Sequence, residues 1–344
     1  MATSPTPPLW FTHALSSLVD RTDLEAVRMC ELMEGLLAGS CGEAETAALL
    51  VALRMKGETA DELAAAAAVL RDHMKAVDVG GLDVLDTCGT GGDGTNTFNI
   101  STATALVVAG AGVPIVKHGN RAMSSRSGSA DVLSVLGVNV ESPALAARAC
   151  LDKTGMIFCL ATAFHPAMRA VSALRRRLGV RTLFNCLGPL ANPAGAAFQL
   201  VGVGRPEWLD RMAGALARLG TRHAFLVCGR DGLDEVSLSG ATLVREVKDA
   251  EILAYEWLPA DFGLESCRLE ELYADGPEAS AVLVRQAIEG REGPAYRVTL
   301  ANAAAALLAA EKVATPKEGV ARAAEAIAAG GPARVLAALV EASR

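Results

Sequence analysis

Asp86-Thr87-Cys88-Gly89-Thr90-Gly91-Gly92-Asp93-Gly94-Thr95-Asn96-Thr97-Phe98-Asn99-Ile100-Ser101-Thr102 is the stretch from which the fold can be read. The apolar pair Val84-Leu85 leads into it and the run from Ala103 to Ala109 leads out, so its glycines lie between a short buried strand and the start of a helix. The free N–H groups of a helix start attract anions. Glycine lets the connecting backbone take positive φ and lie against an oxygen-rich ligand. Five polar side chains, Asp93, Thr97, Asn99, Ser101 and Thr102, crowd the segment, more than a plain turn requires. The pattern reads as an anion-binding loop between strand and helix.

Gly89-x-Gly91-x-x-Gly94 also satisfies the spacing of a dinucleotide fingerprint, which needs a second strand ending in Asp or Glu about 20 residues on. The next apolar run, Val113 to Val116, ends instead in Lys117-His118-Gly119-Asn120-Arg121, with positive charge where a ribose-binding carboxylate belongs. No Gly-Lys-Ser/Thr follows at Walker spacing. Ser124-Ser125-Arg126-Ser127-Gly128-Ser129 then adds hydroxyls, a cation and a glycine before a helix at Asp131, a second phosphate cradle facing the first.

Working outward, short apolar runs alternate with helices from Leu82 onward: Val84-Leu85, Val113 to Val116, Met156 to Leu160, Gln199 to Val203 and Ala224 to Cys228. This βαβ series implies a mainly parallel sheet between helices, with ligands at the carboxyl ends of the strands. Ser142-Pro143 opens a helix to about Asp152, and Pro166 opens one carrying Arg169, Arg175, Arg176 and Arg177. From Glu278 the chain reads as Ala-rich helix broken at Gly290 and Gly330-Gly331. Upstream, Thr22-x-x-Glu25, Ser40-x-x-Glu43 and Thr59-x-x-Glu62 each fit the capping box, and Gly39 and Gly57 stop the first two helices. Ala26, Cys30, Met33 and Leu37 form the predicted apolar stripe of the first of these. The expected organisation is a mobile tail over 1–8, a small helical domain over 9–77 joined by helices from about 166–190, and an α/β domain over 78–344.

The 344 residues, 51% hydrophobic and 21% charged, suffice for a large core, and the net charge of −7 argues against a nucleic-acid partner. Eight scattered cysteines without a C-x-x-C pair read as reduced thiols. With no apolar run of membrane-spanning length and no leader pattern at Met1 to Pro8, the expected location is the cytoplasm. Asp231-Gly232-Leu233-Asp234-Glu235 follows a strand and puts two adjacent carboxylates on a loop, where Mg²⁺ bound to a pyrophosphate needs only one or two. His165 and Arg175 flank a Pro-started helix and can face a cleft.

Gly89 to Asp93, Asn99 to Thr102, Lys117 to Arg121, Ser127 to Asp131, Phe184-Asn-x-Leu-Gly-Pro-Leu-x-Asn-Pro193 and Asp231 to Glu235 together resemble the anthranilate phosphoribosyltransferases, in order and over nearly the whole chain. The resemblance implies the nucleoside phosphorylase or class III phosphoribosyltransferase type of α/β fold. It implies transfer of the 5-phosphoribosyl group of phosphoribosyl pyrophosphate to the amine of anthranilate, with Mg²⁺ as cofactor and a homodimer formed through the helical domain. Carried over residue by residue, it assigns donor contacts to Gly89, Gly92, Asp93, Thr97, Asn99, Ile100, Ser101, Thr102, Lys117, His118, Gly119, Asn120, Arg121, Ser124, Ser125 and Ser129. Gly89, Asn120, His165 and Arg175 fall to anthranilate, and Ser101, Asp234 and Glu235 to the metal.

Three places depart from the family pattern: Cys228 where His is frequent, Thr162 where Pro is frequent, and Ala173-Leu174 where Pro-Val commonly stands. The last two bear on the acceptor pocket. A pyrimidine nucleoside phosphorylase shares the architecture and a Lys-His-Gly motif, but Asn120 and the Asp234-Glu235 pair favour the transferase. A non-catalytic nucleic-acid-binding relative is disfavoured by the acidic balance.

Overall fold

The structure is a computed structural model that describes residues 8–122, 126–146 and 148–344. Four helices come first: α1 (Leu9–Val19), α2 (Ala26–Leu37), α3 (Glu43–Lys56) and α4 (Ala60–Asp72). The alternating part follows as β1 (Leu85–Gly89), α5 (Ile100–Gly110), β2 (Ile115–Gly119), α6 (Ser129–Val135), α7 (Arg148–Thr154), β3 (Met156–Leu160), α8 (Ala161–Phe164), α9 (Arg169–Leu178), α10 (Phe184–Leu190), β4 (Phe198–Gly202), α11 (Leu209–Arg218) and β5 (His223–Gly229). Then come β6 (Thr242–Lys248), β7 (Glu251–Trp257), α12 (Pro277–Ile288), α13 (Pro294–Ala309), α14 (Pro316–Ala328) and α15 (Gly331–Ala342).

The sheet runs β3-β2-β1-β4-β5-β6-β7. Its first five strands are parallel and its last two antiparallel, so the expected mainly parallel sheet carries a hairpin the βαβ reading did not include. The chain builds outward from β1 to β3, then crosses to β4 on the other side of β1, and strand order reverses there. Such a switch point leaves a crevice at the carboxyl ends of the strands.

Side-chain alternation splits each strand between two cores. Phe198 and Leu200 of β4 and Phe225 and Val227 of β5 join α5 and α12–α15. Val201, Ala224 and Leu226 face the other way, into the cluster that also holds α11, α10 and the four N-terminal helices. The Ala-rich tail reads as core because small side chains let helices approach closely: a side-chain carbon at Gly319 of α14 would lie 2.7 Å from Ala304 of α13. Among the described residues no single helix is long and apolar enough to cross a membrane.

In the helical part, only the third expected capping box forms. Thr59 Oγ1 accepts Glu62 N–H at 3.1 Å and Glu62 Oε2 accepts Thr59 N–H at 2.8 Å. Glu25 and Gly42 stand at the N-caps of α2 and α3, so neither Thr22 nor Ser40 closes a box. Glu62 serves more than the cap: its buried carboxylate also takes Leu24 N–H and the Lys56 ammonium, each at 2.8 Å. The buried face of α2 is Met29, Leu32, Met33, Leu36 and Leu37, rotated from the expected stripe, with Ala26 exposed. Each fully buried Leu or Met there contributes about 1.5–3 kcal/mol. The segment after Ser142 starts as a 3₁₀ turn, Pro143–Ala146, and is α-helical from Arg148 to Thr154.

Three chain passes join the helices to the sheet, and they are laced side by side. Lys75 N–H donates to Phe164 O at 2.8 Å, Val77 N–H to Pro193 O at 3.0 Å, and Arg71 Nε to Leu190 O at 2.8 Å. Val171, Leu183, Phe184 and Leu187, far along the chain, share the apolar cluster of α1–α4.

Candidate functional site

β1 and β2 run further into their polar motifs than their apolar residues suggest, and this decides where the motif side chains point. Lys117 and His118 are both strand residues, so they leave the sheet on opposite faces. Lys117 is buried at 1% exposure, with its ammonium donating to Thr87 O and, at 3.2 Å, to Ser101 Oγ at the head of α5. Burial pulls its pKa down, while Asp86, Cys88 and Glu235 oppose that pull. His118 goes the other way: Nδ1 meets Gly188 O at 3.1 Å, and its ring lies 5.0 Å from that of His165. Burial holds His118 near pKa 3 and His165 near 4, so both imidazoles are neutral at pH 7. His118, expected among the donor contacts, therefore sits with the acceptor candidate His165.

The first glycine loop is fixed from several sides. Gly91 and Gly92 take φ of 62° and 66°, and Gly91 N–H donates to Asp234 Oδ2 at 3.0 Å. A side-chain carbon at Gly89 would sit 2.9 Å from that same oxygen, and one at Gly202 would overlap Asp234 O at 1.6 Å. Glycine at these strand ends is what lets the carboxylate loop after β5 close over β1 and β4. Thr97 bridges to Tyr273, and Asp93 accepts from Thr95 N–H and hydroxyl. Asn99 Oδ1 accepts Ser127 Oγ and Ser280 Oγ, each at 2.8 Å, tying the first cradle to the second.

In the second cradle Gly119 and Ser129 are in contact, since a side-chain carbon at Gly119 would lie 2.1 Å from Ser129 Oγ. Asn120 uses Oδ1 to accept Arg121 N–H at 2.9 Å. Ser124 and Ser125 lie outside the described residues. Two expected donor contacts are not brought to the crevice. Ile100 is a core residue whose N–H already donates to Phe98 O at 2.7 Å, and Arg121 is exposed and paired with Glu141 at 2.9 Å and Asp131 at 3.3 Å. Thr102 is fully buried with its hydroxyl unpartnered among the described residues.

Asp234 and Glu235 form the acidic wall. Burial pushes the Asp234 carboxyl well up, with Asp93 and Glu235 adding repulsion. Burial raises Glu235 to about 8 against the pull of Lys117. Asp93, Asp234 and Glu235 crowd together and repel one another against the pull of Lys117, an excess of negative charge that fits a divalent cation. Among the described residues no group of three Asp, Glu, His or Cys side chains is arranged for a metal, so a cation here would complete its shell with phosphate oxygens and water, as Mg²⁺ does. Ser101, at Lys117 Nζ, stands beside this wall.

Arg175 on α9 is half-buried over the Phe184 ring at 5.1 Å, and among the described residues it has no carboxylate partner. Burial lowers it to about 10, still cationic at neutral pH. Phe184 begins α10, whose Gly188 O holds His118, so α10 links Arg175 to the histidine pair. Of the departures, Thr162 and Ala173 are exposed, and Leu174 and Cys228 are core residues.

Two contributors escaped sequence reasoning. Fully buried Asp86 accepts His118 N–H at 3.1 Å and Asn192 Nδ2 at 2.8 Å, while Asn192 also donates to Val116 O at 2.8 Å, clamping β1 to β2. Arg181 donates to the carbonyls of Thr90, Gly91 and Gly92. The Asn192-Pro193 end of a quoted motif was the available signal for the first; nothing local marks Arg181.

The a/b domain model of a glycosyl transferase family matches residues 81–333, and its helical bundle domain model matches 12–74. The chain is 47% identical over 331 residues to anthranilate phosphoribosyltransferase of Anaeromyxobacter dehalogenans, covering 96% of this chain and 98% of that protein. It superimposes with a TM-score of 0.89 at 42% identity on the anthranilate phosphoribosyltransferase of Thermus thermophilus, covering 96% and 99% of the two chains. The yeast enzyme of that name, from Saccharomyces cerevisiae, in complex with PRPP and Mg, superimposes with a TM-score of 0.86 at 30% identity over 97% of each chain.

Proposed function

The chain belongs to the anthranilate phosphoribosyltransferase family of glycosyl transferases, and from that membership we propose how its crevice works. The reaction is transfer of the 5-phosphoribosyl group of phosphoribosyl pyrophosphate to the amine of anthranilate, in tryptophan biosynthesis. The observation that carries the reading is the convergence, in one crevice, of a glycine loop, the buried ammonium of Lys117 and the carboxylates of Asp234 and Glu235.

The amine nitrogen bonds to the anomeric carbon as the bond to the pyrophosphate oxygen breaks, and the electron pair leaves with pyrophosphate. The amine proton passes to the substrate's own ortho-carboxylate. No side chain forms a bond to the sugar, so the residues position the partners and stabilise the charge that develops. The loop from Gly89 to Asp93, with Thr97, Asn99, Ser101, Lys117, Gly119 and Ser129, holds the donor. Asp234 and Glu235, with Ser101 beside them, would hold Mg²⁺, which when bound screens the charge of the diphosphate. Arg175 pairs with the anthranilate carboxylate through its planar fork. The neutral rings of His118 and His165, with Asn120, line the place of the aromatic ring.

The protein acts in the cytoplasm as a homodimer joined through its helical part. Support for that surface is apolar: Leu9 and Val19 of α1, Val27 of α2 and Met55 of α3 are each at least 67% exposed.

Mixing the protein with anthranilate, phosphoribosyl pyrophosphate and Mg²⁺ should quench anthranilate fluorescence with time, and EDTA should slow the loss. No loss at saturating substrates, or phosphorolysis of thymidine in EDTA, overturns the reading.

A further inference from the structure

Arg181 lies between α9 and α10, in the segment that packs with the helical part, yet its guanidinium reaches the tip of β1. It donates to Gly92 O at 2.7 Å, to Thr90 O at 3.1 Å and to Gly91 O at 2.5 Å. Its charge lies over the Trp208 ring, 4.8 Å from the centroid, so the side chain is held between an indole face and three carbonyls.

Peptide geometry gives this contact a consequence on the opposite side of the loop. In a trans peptide the C=O of one residue and the N–H of the next point in opposite directions. Three consecutive carbonyls gathered on Arg181 therefore turn the N–H groups of Gly91, Gly92 and Asp93 away from it. Gly91 N–H indeed points to the acidic wall, where Asp234 Oδ2 accepts it. An anionic oxygen thus already occupies part of this cradle. Two successive glycines in the left-handed region can flip their peptide planes at low cost, and a flip would present carbonyl oxygens to an anion. Arg181 opposes that flip by satisfying all three carbonyls at once.

We infer that Arg181 is a positioning residue for the phosphoribosyl donor, holding the Thr90-Gly91-Gly92 carbonyls back so that the N–H groups of Gly92 and Asp93 face the pyrophosphate while Gly91 N–H stays on Asp234. This rests on the function proposed above. Arg181 does not touch the donor; it acts through the loop. The same short stretch carries Arg175 six residues earlier, so one segment sets the acceptor cation and the donor cradle.

Three variants, Arg181→Ala, Arg181→Gln and Arg181→Lys, test this with steady-state kinetics, thermal melting and calorimetric binding of inorganic pyrophosphate with Mg²⁺. Arg181→Ala and Arg181→Gln should raise the donor KM at least tenfold and weaken pyrophosphate by a similar factor, with the anthranilate KM within twofold. Arg181→Lys should fall between, since one ammonium cannot span three carbonyls, and guanidinium at non-denaturing concentration should restore part of the donor affinity of Arg181→Ala. If Arg181→Ala does not fold, the Lys variant carries the same comparison. A donor KM within threefold of wild type, or donor and anthranilate KM rising together, overturns the inference. Wild-type protein that binds no pyrophosphate would instead overturn the functional reading, which separates the two failures.

Discussion

In the proposed site Arg175 is the residue that would decide what the acceptor can be, because a half-buried cation without a carboxylate partner among the described residues is costly unless a ligand supplies one. Arg175→Ala should lose a charge-assisted contact of roughly 1.5–3 kcal/mol, raising the anthranilate KM about 10- to 150-fold with the donor KM almost unchanged. An anthranilate KM within threefold of wild type would remove it from the site. The histidine pair makes a second residue-level prediction. His165 falls to about pKa 4 and His118 to about 3 when buried, below the ordinary value near 6.5. The unfolded chain takes up these protons first, so the stability present above pH 6.5 is lost as pH drops toward 4, on the order of 2–3 kcal/mol for His165. Melting temperature against pH should fall less steeply for His165→Gln; parallel curves would refute it. At this scale the glycines, Lys117 and the acidic pair were legible because each chemistry leaves a local mark. The sides taken by Lys117 and His118 were not, since they depend on how far β2 extends. Nor was the diversion of Arg121 to Glu141, which depends on a loop twenty residues away.

The element read least well was the hairpin β6–β7. Asp249 and Ala250 take φ of 49° and 68°, the left-handed pair that a two-residue hairpin turn demands, yet neither is glycine. Without an Asn-Gly or Asp-Gly signal the turn passes unnoticed. Most of β7 is exposed, which weakens its apolar pattern further. Ala250→Gly should relieve left-handed strain and stabilise the fold by about 0.5–1 kcal/mol, net of the extra freedom it gives the unfolded chain. Calorimetry should show a rise of about 1–2 °C for a chain this long, and Ala250→Val a fall; a drop with Gly would show that Ala250 makes a contact worth more than its strain. The parallel strands were recognisable because burial on both faces writes continuous apolar runs. Their ends were displaced because Asp86, Thr87, Lys117 and His118 are polar residues inside strands, held there by Asn192 and Ser101.

For the whole molecule, fold class and family were legible because six motifs recur in order, and the phosphorylase and nucleic-acid alternatives give way to relatives 47% identical over nearly the full chain. Quaternary structure leaves no motif, only exposed apolar side chains. Light scattering or sedimentation at micromolar concentration should report a dimer, and Val27→Asp, which puts charge on a residue 69% exposed, should shift it toward monomer without lowering the melting temperature of the isolated subunit. A wild-type monomer would sink that assembly. The three laced chain passes have a consequence for recombination. Because Val171, Leu183, Phe184, Cys186 and Leu187 complete the apolar cluster of α1–α4, the bundle is not a contiguous gene segment. A crossover near codon 77 between two divergent parents would join a first half adapted to one partner surface with a second half adapted to another. Viable chimaeras should therefore exchange the stretch around 166–190 together with the first 77 residues, as one heritable unit carried in two pieces.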